Sequence, residues 1–346
     1  MKTIHHILFF STLLVFASCE ESNPVDEEVS EEIAQNDQPV SDCSTAPASW
    51  FKEVNGVRVT PAPNEGSTSV FANSSTVTNC DFHRWSWQKF LWLTNETNGV
   101  PFFQANFTQV GADGTKLGKG GAIILTDTGQ ASSSTDILKT NTDPASAANT
   151  VYYSIMINDK FDSTMTKYGK MAAKNIESIK DVAFPVGAVE TKSAWIAVSA
   201  LTDTSSYYTT DGVIDGTPTK VALLGIHVVG VVENHPEFVW ATFEHAGLAP
   251  HYDWEKATET TDAPVTSPDN FPFFNSNATA TVANINSGNG IYTNIFSLYE
   301  FGTPVEKSGN KTVYTETSQK GEQNHKNIKE LNTSVKEQLK GIWNNY

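Results

Sequence analysis

The sequence predicts an α+β fold: a domain built mainly on an antiparallel β-sheet, with a few packed helices and a helix at the C-terminal end. Three observations predict it. Strand-like apolar runs outnumber helical stretches, and they lack the regular alternation with helices that a parallel sheet needs. Asn327 to Trp343 places Ile328, Leu331, Val335, Leu339 and Ile342 on one helical face. No internal repeat is visible.

Taken in order, the chain begins with a targeting pattern. Lys2 precedes an apolar run from Ile7 to Ala17 that is too short to span a bilayer, and small residues lead to Cys19. Phe16-Ala17-Ser18-Cys19 resembles a lipobox, with Phe where Leu is preferred. Residues 1–19 are therefore expected to be a lipoprotein signal peptide, with Cys19 lipidated and the chain held at the outer membrane; several acyl chains give the stable anchoring that one does not. The plainer alternative is an ordinary signal peptide that contains a cysteine. Glu20 and Glu21 resemble the acidic export signal of surface lipoproteins.

Between Glu20 and Asp42 there are nine acids and no Lys or Arg, with almost no aromatic content, so residues 20–42 are expected to be a disordered acidic tether. Residues 43–346 are read as one globular domain. The net charge of -16, much of it in the tether, and the lack of a basic patch argue against a nucleic-acid partner. With Cys19 assigned to lipid, Cys43 and Cys80 remain as an even pair in an oxidising compartment, which favours a disulfide over two buried thiols.

Within the domain, Phe82 to Thr94 spaces Phe82, Trp85, Lys89 or Phe90, and Leu93 as a helix does, and it is the most aromatic stretch. Strands are expected over Phe102 to Val110, Ala122 to Thr126, Val151 to Ile157, Val189 to Val198, Val221 to Val232 and Glu237 to His245. Asp113-Gly114 and Asp215-Gly216 are turn formers between strands. Asn158 to Glu177 is helical in pattern. Ala257 to Asn294, rich in Thr, Asn, Ser and Pro, predicts a long irregular excursion.

Two apolar runs flanking Glu233-Asn234-His235-Pro236 predict a hairpin with a four-residue loop, Val232 pairing with Glu237. That register sets His227 opposite Thr242 and Gly225 opposite Glu244, and puts His227, Trp240, Thr242 and Glu244 on one face. A His and a carboxylate among aromatic side chains fit a general acid and base pair; the alternative is a structural hydrogen bond in the core. Glu190 and Lys192 share a strand face and fit either a grip on a ligand's polar group or an ion bridge that fixes register. His83, His227, His245 and His251 form no ligand spacing, so no metal site is expected. Leu125-Thr126-Asp127-Thr128-Gly129 looks like half of an aspartic-protease site. No second Asp-Thr-Gly or Asp-Ser-Gly accompanies it, and a turn is the better account. No nucleophile elbow or phosphate loop occurs.

Several stretches resemble a largely uncharacterised family of exported bacterial proteins, some members of which continue into c-type cytochrome sequence. They are Trp85-Ser86-Trp87-Gln88-Lys89-Phe90, Val151 to Asn158, Phe184-Pro185-Val186-Gly187 through Trp195, Val221 to Val229 and Pro236 to His245. The resemblance spans about residues 80–346 and implies no activity. A Cys-x-x-Cys-His haem site is absent from this chain, so no covalent haem and no other cofactor is expected. Taken together, the residues predict a cell-envelope lipoprotein whose domain binds a small molecule or an envelope protein through Trp85, Trp87, Glu190, Lys192 and Trp240. The alternative is an envelope enzyme or redox-associated protein using His227 and Glu244, with Thr242 beside them.

Overall fold

The computed structural model describes residues 43–126, 150–172, 183–248, 298–300, 303–308, 311–314 and 321–346. A 3-10 turn over Ala48–Phe51 opens it, and a short hairpin follows: β1 (Glu53–Val54) and β2 (Val57–Arg58) turn at Asn55 and Gly56, both at positive φ. Helix α1 (Asn79–Leu93) starts three residues before the expected Phe82 because Thr78 and Asp81 form a capping box. The Asp81 carboxylate accepts from the Thr78 backbone N–H at 2.8 Å and from its hydroxyl at 2.9 Å. Cys80 in the first turn of α1 is disulfide-bonded to Cys43, with Cα atoms 5.6 Å apart.

After β3 (Glu96–Thr97) and β4 (Val100–Pro101), the expected strand from Phe102 proves to be a helical turn, α2 (Phe102–Asn106), and only β5 (Thr108–Val110) is extended. The turn sends Phe103 into the core, fully buried, while Phe102 meets Trp92 with ring centroids 4.4 Å apart. A strand would have pointed these neighbours to opposite faces.

The chain continues through β6 (Lys116–Lys119), β7 (Ile123–Leu125), β8 (Tyr152–Ile157), α3 (Asp159–Ala172), β9 (Val189–Ala197), β10 (Thr209–Ile214), β11 (Thr217–Val232) and β12 (His235–Glu244). Asn158 caps α3, its Oδ1 accepting from Phe161 N–H at 3.0 Å. A small sheet of β13 (Leu298–Glu300), β14 (Thr303–Ser308) and β15 (Lys311–Tyr314) precedes α4 (Gly321–Gln338). Helix α4 starts before Asn327 and stops short of Trp343. Gly341, at φ +74°, turns the chain into a 3-10 turn over Ile342–Asn345.

The main sheet has the strand order β6-β5-β8-β9-β11-β10-β7, with β12 also paired to β11. Every pairing in it is antiparallel except β7 with β10. The 16-residue β11 organises it, pairing β9 along one edge and first β10, then β12, along the other. The sheet also curls. Beyond β7, Thr126 donates to Tyr153 O at 3.2 Å and accepts from Tyr153 N–H at 2.9 Å, so β8, β9, β11, β10 and β7 form a closed circuit. Gln109 fastens the closure: its Oε1 accepts from Ile124 N–H at 3.0 Å and its Nε2 donates to Ile124 O.

One face of the sheet faces α1 and α4 and holds the main core, including Trp85, Phe90, Trp195, Ile226, Val228, Phe243, Leu331 and Trp343. Phe90 stacks on Phe243 at 4.1 Å between centroids. Gly230 permits the contact of helix and strand, since a Cβ there would lie 2.7 Å from Trp85 Cζ2. The other face carries two smaller apolar clusters. Phe161 of α3 packs with Val110, Ile157, Phe184 and Phe238, and Ile196, Ala222 and Leu224 pack with Tyr207.

Candidate functional site

The hairpin of β11 and β12 has the expected register over most of its length and a different loop. Gly225 faces Glu244, His227 faces Thr242 and Val229 faces Trp240, but Val232 pairs with His235 rather than Glu237. The loop is two residues, Glu233 and Asn234, with Asn234 at φ +59°, and a bulge between Gly230 and Val232 absorbs the difference. Asn234 also donates to Phe71 O at 3.1 Å and Ala72 O at 2.9 Å. The tight turn carries contacts that a looser loop would not hold.

Because β9 pairs with the opposite edge of β11, its residues complete the same face. His227 lies opposite Lys192, Val229 opposite Glu190 and Gly225 opposite Ala194. Ile155 and Tyr153 of β8 extend the rows past Lys192 and Ala194. Directly opposed residues project to one side of a sheet, so Glu190, Lys192, His227, Trp240, Thr242 and Glu244 share one face. This polar strip runs between the two small apolar clusters and on the side away from α1.

His227 is exposed, which corrects the picture of a histidine inside an apolar core; its chain neighbours Ile226 and Val228 are buried because they belong to the other face. Its Nδ1 lies 2.7 Å from Thr242 Oγ1, so its hydrogen-bond partner is the threonine and not Glu244. Loss of solvent on the sheet face, then the nearby Lys192 charge, holds the imidazole below its ordinary pKa. Burial raises the Glu190 carboxyl, opposed by Lys192, and lowers the Lys192 ammonium, opposed by Glu190. Lys192 also sits over the Tyr153 ring, 5.1 Å from its centroid. Glu244 keeps an exposed edge, yet partial burial raises its carboxyl too. Trp240 is 64% exposed.

The aromatic helix does not share this surface. Trp85 and Trp87 are 2% and 6% exposed, and their indole N–H groups donate to Glu65 at 2.6 Å and Asn332 at 2.7 Å. They are core residues, so the expectation that they line a site with the hairpin fails: amphipathic spacing on a helix marks the side it buries. Sequence reasoning also missed a buried ion pair. Lys89, 2% exposed, meets Glu65 at 2.7 Å and lies 4.8 Å from the Trp92 ring centroid. Desolvation lowers the Lys89 ammonium, Glu65 opposes that, and Lys160 adds to it. A lysine on the helical face of Trp85 and Leu93 was a visible signal; Glu65, in a loop of Pro, Asn and Gly, gave none.

The remaining histidines are separate. His83 bonds Asn324 at 2.8 Å, and His245 stacks on Tyr207 at 3.7 Å between centroids. Among the described residues no group of three or more His, Cys, Asp or Glu side chains could hold a metal ion. Cys19, residues 20–42, Asp127-Thr128-Gly129, His251 and Ala257 to Asn294 lie outside the described residues. Among the described residues, a cavity of about 350 Å³ lies beside Arg58, Glu96 and Trp343 and another of about 520 Å³ beside Lys160, Lys167 and Tyr168; neither of these includes a residue of the strip. Among the described residues no helix is long and apolar enough to cross a membrane. In comparisons with known proteins, no family model, no curated protein and no solved structure matches the chain.

Proposed function

We propose that this chain is a cell-envelope lipoprotein, tied to the outer membrane by lipid on Cys19 and an acidic tether over residues 20–42, whose domain binds a ligand through the polar strip of β9, β11 and β12. One observation supports the binding reading above others. Residues placed far apart in the chain, Glu190 and Lys192 on one side and His227, Trp240, Thr242 and Glu244 on the other, converge on one face with an exposed indole among them. A large aromatic side chain left in water beside hydrogen-bonding groups costs solvation free energy that a bound partner would recover. The acid and base reading has less support, since His227 is bonded to Thr242 and Glu244 titrates under desolvation alone.

Hydrogen exchange of the full-length protein with and without a soluble extract of the cell envelope tests the binding surface. Protection is expected in peptides covering residues 189–197 and 225–244. Protection confined to other segments, or none, would overturn it. Metabolic labelling with an alkyne fatty acid tests the anchor: the wild type is expected to be labelled and Cys19→Ala unlabelled, and equal labelling of both would sink that part.

A further inference from the structure

We infer that the strip takes a neutral oligosaccharide, with the Trp240 indole stacked on the C–H face of a pyranose ring and the surrounding side chains bonded to its hydroxyls. The inference rests on the strip being the binding surface and names the ligand class that its chemistry selects. Four features carry it.

Trp240 is the one large apolar side chain strongly exposed on this face; the others strongly exposed among the described residues, Val54, Val57, Val59 and Val70, lie outside the main sheet. A protein partner of ordinary size seeks a contiguous apolar centre, whereas a sugar ring presents one small apolar face. Around the indole stand donors and acceptors side by side: the Glu190 carboxyl directly across from Val229, then the Lys192 ammonium, His227 and Thr242 in the next row, then the Glu244 carboxyl. Hydroxyls of a sugar are donors and acceptors at once and can meet both.

Charge points the same way. The strip holds two carboxyls and one ammonium, with Glu190 and Lys192 moderating each other and the imidazole held toward its neutral form. No single sign dominates that would select an anion or a cation. Geometry supplies the last feature. Trp240 and Glu244 are four residues apart on β12, about 14 Å along the strand, and the rows reach across β9, β11 and β12. The strip lies across three neighbouring strands, with His227, Trp240, Thr242 and Glu244 exposed along it. A ribbon of β-1,4-linked pyranoses, with hydroxyls along both edges, matches a strip of this length better than a compact molecule that needs enclosure.

Isothermal titration of the full-length protein in detergent with cellohexaose, chitohexaose and hexagalacturonate tests it. Binding of at least one of the two neutral hexasaccharides is expected, with Trp240→Ala weakening it about tenfold or more, as loss of a central aromatic contact does, and Trp240→Phe recovering part. The Ala variant is expected to unfold at the wild-type urea midpoint, because the indole is exposed. Chitohexaose alone would assign an amino-sugar glycan such as the cell's own wall, and cellohexaose alone an external polysaccharide. Binding only of the anionic hexagalacturonate, no binding of either neutral sugar, or wild-type affinity in Trp240→Ala would each overturn the assignment. If the sugars fail while envelope extract still protects residues 225–244 from exchange, the binding surface stands and only its ligand class falls.

Discussion

At the scale of single residues, Lys89 shows how much a buried charge can depend on one partner. Its ammonium is 2% exposed and meets Glu65 at 2.7 Å, while the Trp85 indole donates to the same carboxylate at 2.6 Å. Removing the lysine leaves a carboxylate with its main counter-charge gone and a gap between Trp85 and Trp92. Lys89→Met is therefore expected to lower the unfolding free energy by about 3 kcal/mol, measured by urea denaturation. Lys89→Met with Glu65→Gln should recover part of that, because no lone charge remains. A double variant as unstable as Lys89→Met would show that packing and not charge sets the cost. Lys89 was visible in the sequence as a lysine on an apolar helical face; its partner was not, since no local pattern ties Glu65 to it across 24 positions.

At the scale of elements, the turn of the β11 and β12 hairpin fixes which side chains reach the strip. Asn234 tolerates φ +59° better than most residues and holds the loop to Phe71 O and Ala72 O through its amide. Asn234→Ala is expected to cost about 1–2 kcal/mol from the lost bonds and the left-handed backbone. Asn234→Gly should cost less, because glycine keeps the turn. Urea midpoints ordered wild type, Gly, Ala would agree; Ala at or above Gly would show that the amide bonds alone matter. The strand periods were legible here, and they gave the pairing of His227 with Thr242 correctly. The two-residue loop and its compensating bulge were not, because Pro236 and His235 look like loop residues until the tertiary contacts of the turn are known.

At the scale of the whole molecule, three histidines make stability depend on pH. His83, His227 and His245 are all held below the ordinary pKa, each first by desolvation. His245 gives the clearest case: Gly247 N–H donates to its Nδ1 at 3.0 Å, which calls for the neutral ring, while its Nε2–H donates to Ser206 O at 3.1 Å, a bond that opposes the desolvation without outweighing it. Below about pH 6.5 the unfolded chain takes up protons that the folded state refuses, so stability falls as pH drops through that range. Glu190 and Glu244, with raised carboxyl values, have the opposite sign: their contribution is present below the unfolded value and is lost as pH rises. Urea midpoints between pH 7.5 and 5.5 are expected to fall for the wild type and to fall less for His245→Gln. Equal slopes would remove His245 as a source.

What the sequence determined by itself is what local physics decides: the α+β class, the cysteine pairing, α1, β8, β9, β11 and β12 to within a few residues, the existence of α4 though not its ends, and the shared face of His227, Trp240, Thr242 and Glu244. Each follows from side-chain period, the two cysteines left within the domain, or turn residues. The tertiary structure decided which side of each element is buried against what. It brought Glu190 and Lys192 alongside His227 through the β9 and β11 pairing, sent Trp85 and Trp87 into the core, turned Phe102 to Asn106 into a helix to place Phe103, and closed the sheet through Thr126 and Gln109. Those outcomes depend on contacts between segments distant in the chain, whose free energy is set by packing and pairing partners that periodicity does not encode.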